Sequence, residues 1–394
     1  MGKGIRIGRL FGINIRIDWS WLFIFLLITW NLATVFGQAH SEWSVLMHWG
    51  MAAVAALLFF ASVLAHELAH SLVAQAQGIP VRSITLHLFG GVSSIQREPD
   101  SPGSEFVMAI LGPITSLVIG GVLLLIAGIA AGLSAASVSN IDQALSQMGP
   151  GITLLSWLGS VNVILGIFNL IPGFPLDGGR VLRSILWTIT DDLRRATQWA
   201  SWVGQAIAWV MIVTGIGMAF GVQVPIFGQG LINGLWLAFI GWFLNTASAQ
   251  SYQRLLIKDA LSDISVSRIM RSDPPTTTAD ISIDALVHNH IMQSDDQAFP
   301  VLDEGEFVGI VTLDDVRSAS RNTWQDKTVR EIMTPREQLV TSFPDECADE
   351  AMNKLTQRNV RQLPVLQDDG SLAGVLRRQD LIKWLQLESD LTLH

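Results

Sequence analysis

Apolar and polar positions follow two different patterns along the chain. Up to about residue 250, apolar residues come in long runs separated by short polar segments, whereas beyond Lys258 they recur at short intervals among many charges. No charged side chain occurs in residues 196–253 or 106–140. A membrane-crossing helix needs about 20 mostly apolar residues. Six stretches qualify: residues 19–36, 45–75, 106–132, 152–171, 199–220 and 231–249. Core helices of a soluble protein seldom give uncharged runs of this length. The first stretch is long for a secretory signal and no small-x-small cleavage site follows it, so it reads as an uncleaved span.

The basic residues orient these spans. Lys3, Arg6, Arg9 and Arg16 precede the first, and Arg82 and Arg97 lie between the second and third. Arg180, Arg183, Arg194 and Arg195 lie between the fourth and fifth, and Arg254 and Lys258 follow the sixth. The other three connections, residues 37–44, 133–151 and 221–230, carry no Lys or Arg. Basic residues mark cytoplasmic loops, so the chain reads as a multi-pass protein of the cell membrane with both termini in the cytoplasm. The net charge of −9 comes mainly from the C-terminal part and argues against nucleic-acid binding, which needs a basic face. Cys347 is the only cysteine, which excludes an internal disulfide and thiolate-rich metal sites.

The second span contains His66-Glu67-Leu68-Ala69-His70. Residues four apart share a helix face, so His66 and His70 can grip one zinc while Glu67 acts on a water that the metal polarises. Ionisable groups inside an apolar span are costly and mark function. The alternative, two histidines snorkelling at the membrane edge, leaves Glu67 unexplained. A catalytic zinc needs a third protein ligand and an open position. The candidate is Asp177, in Asn169-Leu-Ile-Pro-Gly-Phe-Pro-Leu-Asp177-Gly-Gly-Arg. The second and fourth spans both run inward, which brings the histidines and Asp177 to one depth. Taken alone, Pro-Leu-Asp-Gly-Gly reads as a surface turn.

Together, the HELAH segment, Asn169…Pro172…Leu176-Asp177-Gly178 and Phe89-Gly90-Gly91 resemble the motifs of the site-2 proteases, the intramembrane zinc metalloproteases, in the family's order over most of residues 50–190. The resemblance implies that His66, His70 and Asp177 bind Zn2+, that Glu67 is catalytic and that Asn169 assists near the site. No PDZ-like insertion interrupts the chain.

Between the second and third spans, Ile84, Leu86 and Leu88 alternate with Thr85 and His87, and Gly90-Gly91 leads to Val92 and Ile95. This reads as a β-hairpin. Either it only connects the spans, or its exposed edge, with Phe89, Gly90 and Gly91 positioning substrate, pairs with an extended peptide. The resemblance points to the second. His87 reads as a polar-face residue of the strand rather than a ligand.

Residues 261–394 hold an internal repeat of about 64 residues. Ile269-Met270 recurs as Ile332-Met333, Phe299-Pro300-Val301-Leu302 as Leu363-Pro364-Val365-Leu366, and Asp315-Val316 as Asp380-Leu381. The segment resembles a tandem pair of cystathionine-β-synthase-type (CBS) domains, which implies adenine-nucleotide clefts between the repeats. In that family a Ser/Thr and an Asp contact phosphate and ribose. Thr312 and Asp315 supply both in the first repeat, while the second keeps Asp380 but has Arg377 in the hydroxyl position. A pair that only forms a homodimer is the other reading.

The expected architecture is therefore a polytopic α-helical membrane domain (1–250) with six spans and a small hairpin. A linker (251–260) leads to an α+β CBS pair (261–394, repeats about 261–322 and 323–394). The expected function is zinc-dependent intramembrane proteolysis of membrane-spanning proteins, modulated by ATP or AMP. The rivals are a CBS-gated transporter or channel, which has no need of Glu67 between two histidines, and an inactive relative that binds membrane proteins without cutting them. Topology is tested directly: reporter fusions after Ser41, Ser139 and Gln223 should report the outside, and fusions after Arg97, Arg194 and Ser262 the cytoplasm. One reversed loop breaks the six-span arrangement.

Overall fold

The computed structural model describes residues 4–88, 90–95, 97–135, 149–225 and 228–392. The chain forms two compact units, Met1–Gln253 and Arg254–His394. The first is built on helices α1 (Trp19–Ala39), α2 (Val45–Ala76), α3 (Pro102–Ala135), α4 (Pro150–Asn169), α5 (Asp177–Thr190), α6 (Leu193–Ala219) and α7 (Leu231–Ser262). All except α5 are long and apolar enough to cross a membrane, which bears out the six-span reading. Phe23, Leu26 and Trp30 on α1 and Trp202, Trp209 and Val213 on α6 are exposed. A continuous apolar exterior of this kind suits hydrocarbon rather than water.

Helix α5 is absent from the sequence reading, which treats the stretch after Pro172 and Pro175 as connection. Residues 251–260, expected as a linker, lie within α7.

The hairpin between α2 and α3 is present as β3 (Val81–His87) and β4 (Gly90–Ile95), but it belongs to a larger sheet. An N-terminal hairpin, β1 (Ile5–Leu10) and β2 (Ile13–Ile17), joins it to give the order β1-β2-β3-β4. Strands β2 and β3 are parallel, with Ile15 opposite Ile84. Parallel neighbours need a crossover, and here the crossover is the helix pair α1–α2. Ile13, Ile15, Val81 and Ile84 pack with Ala74, Ile79 and Met108, which seats the sheet on the end of α2 and the start of α3.

In the second unit, β5 (Ala298–Asp303) pairs antiparallel with β6 (Glu306–Thr312), and β7 (Gln362–Leu366) with β8 (Leu372–Arg377). Each hairpin anchors a core, and each core borrows the leading segment of the other repeat. Leu261 and Val266 pack with Leu355, Leu363, Val365 and Leu376. Val329 packs with Ile283, Phe299, Val301 and Val311. The repeats are thus interlocked rather than strung in series.

Candidate metal centre

His66 and His70 lie one turn apart on α2, both buried at 5% exposure. Asp177 is the first residue of α5. It reaches them because two glycines follow it. A Cβ on Gly178 would lie 2.4 Å from the Leu170 carbonyl oxygen, and one on Gly179 would lie 2.4 Å from the Phe174 nitrogen. Larger residues would push α5 off the turn that precedes it.

Asp177 Oδ2 is 3.0 Å from His66 Nε2 and 3.2 Å from His70 Nε2, and the two Nε2 atoms are 3.2 Å apart. Ligands about 2.0 Å from a tetrahedral zinc stand about 3.3 Å from one another, so these spacings fit that ion. The outer nitrogens are held as metal-binding imidazoles require. His70 Nδ1 donates to the Met108 carbonyl at 2.6 Å, which leaves Nε2 of the neutral ring with its lone pair. His66 Nδ1 lies 2.9 Å from Ser116 Oγ. Space is kept free as well: a Cβ on Gly112 of α3 would sit 2.1 Å from His70 Nε2 and 2.8 Å from His66 Nε2. Both the donor set and the cradle therefore fit zinc.

Glu67 stands next to this cluster without joining it. Its Oε2 accepts from Ser93 Oγ at 2.8 Å, and Ser93 in turn accepts from Ser71 Oγ at 3.0 Å. Ser93 is on β4, the strand at the sheet's end, so one backbone edge of β4 faces away from β3. Gly91 lets β4 approach, since a Cβ there would meet Glu67 Cγ at 2.4 Å, and Gly90 has φ +117°. Phe89 lies outside the described residues. Asn169 ends α4, and its Nδ2 donates to the Leu165 carbonyl of the same helix at 3.0 Å. His87 is on β3, outside the donor cluster.

In the second unit, Thr312 caps the short helix α9, Leu313–Ser318 (α8, Ile283–Asn289, precedes it). Thr312 N and Oγ1 donate to Asp315 Oδ2 at 2.8 and 2.7 Å. The equivalent position in the second repeat is closed. Arg377 Nε and Nη2 grip Asp380 Oδ2 and Oδ1 at 2.8 and 2.7 Å, while Nη1 reaches Asp296 Oδ1 at 2.7 Å. Asp296 Oδ2 accepts from Arg271 Nη1 at 2.8 Å. The hydrogen bond to Asp380, together with the nearby Asp296 charge, raises the Arg377 pKa against the opposing effect of burial. A cavity of about 330 Å³ opens elsewhere in this repeat, near Arg336, Thr341, Phe343 and Leu366, and neither Thr312 nor Asp315 lines it.

Residues 54–211 match the model of Peptidase family M50, and residues 266–322 and 329–387 each match the CBS domain. The chain is 33% identical to "Putative zinc metalloprotease sll0528" of Synechocystis, over 98% of this chain and 96% of that protein. It is 30% identical to "Putative zinc metalloprotease Rip3" of Mycobacterium tuberculosis, over 98% of this chain and 94% of the relative. The chain belongs to peptidase family M50. It is a metalloprotease of the site-2 type that carries a tandem CBS pair. Among solved structures, it is similar to the site-2 protease from Methanocaldococcus jannaschii, with 29% identity, a TM-score of 0.41, and coverage of 63% of this chain and 95% of that one.

Sequence reasoning about this M50 chain missed the contributions of α3 and β4: Ser116, the Met108 carbonyl, Gly112 and Ser93. The available signal was Gly112-Pro113 in the middle of an uncharged span, where Pro113 removes one helical N–H and loosens a turn. Gly112 yields a direct test. Gly112→Ala should fold but retain zinc with affinity lowered by at least about tenfold, the range for losing a supporting contact at a metal site. Metal analysis after dialysis against a chelator checks this.

Proposed function

We propose that the chain is a zinc endopeptidase that cleaves membrane-anchored proteins within the bilayer, near its cytoplasmic face, with both termini in the cytoplasm. The observation that carries the reading is the meeting of His66, His70 and Asp177 beside an acid, Glu67, that is not one of the donors. His66, His70 and Asp177 would hold the ion, and when bound the zinc supplies Lewis acidity and a more acidic water. Glu67, oriented by Ser93, accepts the proton of the attacking water and delivers it to the leaving amine. Asn169 is the candidate donor to the developing oxyanion once it exchanges its bond to Leu165.

A membrane-spanning substrate arrives as a helix whose carbonyls are already hydrogen-bonded, so it must be unwound locally. Among the described residues β4 ends the sheet, and its outer edge supports strand pairing as the device that holds it extended, with Gly90 and Gly91 giving close access. Glu67→Gln should retain zinc yet lower cleavage of a co-expressed single-span substrate by about a hundredfold or more. Turnover like that of the wild type would exclude Glu67 as the base. A transporter gated by the CBS pair is disfavoured by the same cluster, since transport needs no acid beside a metal cradle.

The CBS pair is proposed to bind adenine nucleotide and to alter cleavage through it, which requires that the ligand favour one arrangement of the protein over another. The nucleotide is placed at Thr312 and Asp315, whose capping bonds engage Asp315 through Oδ2. Asp380, whose two oxygens are held by Arg377, is not available to a ribose in this arrangement. The expected stoichiometry is one nucleotide per chain. Calorimetry on the full-length protein in detergent should give that value. Asp315→Ala should weaken binding by about tenfold or more, the cost of one charge-assisted hydrogen bond, with zinc content unchanged.

A further inference from the structure

Helix α3 presents Glu105, Met108, Gly112 and Ser116 at spacings i, i+3, i+7 and i+11, which is one helix face. Three of these positions serve the histidines. Met108 and Ser116 hold their outer nitrogens, and Gly112 leaves room at their inner ones. The fourth serves the helix that carries the aspartate. Glu105, with 0% exposure, accepts on Oε1 from Arg183 Nε of α5 at 2.8 Å and also from Arg183 Nη2. Arg180 Nε lies 3.6 Å from the same oxygen. Arg183 is itself buried, with Glu98 at 3.8 Å and its guanidinium 5.4 Å from the centre of the Phe174 ring.

We propose that Glu105 and Arg183 are positioning residues for the metal centre: their buried pair sets α5, and with it Asp177, in register with the histidines on the face of α3 that holds both rings. The inference rests on the zinc reading given above. Asp177 and Arg183 are fixed to each other by the α5 backbone, about 9 Å apart along the axis. Two guanidinium nitrogens converge on one buried carboxylate oxygen, which ties the position of α5 to that of Glu105. Without the pair, apolar packing still holds α5 against α3, but side chains in such a contact accept shifts that a metal site does not. Stability alone does not explain the pair, because buried ion pairs are often no more stabilising than apolar residues of similar volume.

That contrast supplies the experiment. The double variant Glu105→Leu with Arg183→Met removes both buried charges together, and the neighbours that lose a longer contact, Arg180 and Glu98, are partly exposed to solvent. In the full-length protein in detergent, its thermal unfolding should match the wild type while its zinc dissociation constant rises about tenfold. With cobalt in place of zinc, the visible spectrum should shift, as expected when ligand geometry changes. Arg183→Lys keeps the buried charge but loses the two-pronged grip. It should weaken zinc in the same direction, and it carries the test if the double variant does not fold. Zinc affinity within about twofold of the wild type in a folded variant overturns the positioning role. A wild-type protein that holds no stoichiometric zinc overturns the zinc reading itself, and the inference with it.

Discussion

Two imidazoles and a carboxylate placed among apolar helices must each be held by a partner, because a polar group buried without one is costly. That requirement organises the first unit. Each histidine ring of α2 spends its outer nitrogen on α3, through a hydroxyl and a backbone carbonyl, and its inner nitrogen faces Asp177. The glycines follow from the same demand. Gly112 clears the volume between rings and helix, Gly178 and Gly179 let α5 start close against the preceding turn, and Gly91 brings a strand against Glu67. The centre is assembled from four separate chain segments, and small residues stand where those segments come closest.

Much of this was legible in the sequence, for identifiable reasons. Spans announce themselves by length and lack of charge, and a histidine pair at i, i+4 announces itself by spacing. Those signals are local. The sheet's extra hairpin carries a weaker signal: Ile5, Ile7, Ile13, Ile15 and Ile17 alternate with polar residues or glycine as a strand requires, but in a stretch too short to stand out beside the first span. Its arginines read, in sequence, as orientation signals for the first span. Ser116 and Ser93 were invisible for another reason: a lone serine gains meaning only when another element places an imidazole or a carboxylate against it. The domain bounds 1–250 and 261–394 came from composition, which reports solvent environment and is silent on the exchange of leading segments between the two repeats.

That exchange changes how the C-terminal unit holds together. Val266 donates its backbone N–H to the Glu346 carbonyl at 2.8 Å, and Val329 donates to the Ile281 carbonyl at 2.9 Å. Neither repeat completes its core alone, so the pair folds as one cooperative body. The Arg377 network adds a polar tie, since Asp296 from the first repeat receives arginines on both sides, one of them from the second repeat. The sequence departure at position 377 thus has a structural use whatever its effect on ligands.

The parallel pairing of β2 with β3 has a consequence for biogenesis. Asn14 leaves the ribosome long before its partner Ser83, and between them the chain must enter the bilayer and come back. The sheet beside Glu67 therefore cannot close until the first two helices have been inserted as a pair, and the long separation makes its closure a slow, late event. A nascent chain stalled after its first crossing would present β1 and β2 as an unfinished edge, and the protease would still lack the strand surface next to its acid. Insertion of the first helix pair and completion of the strand surface beside Glu67 are thus one coupled event in the making of this chain.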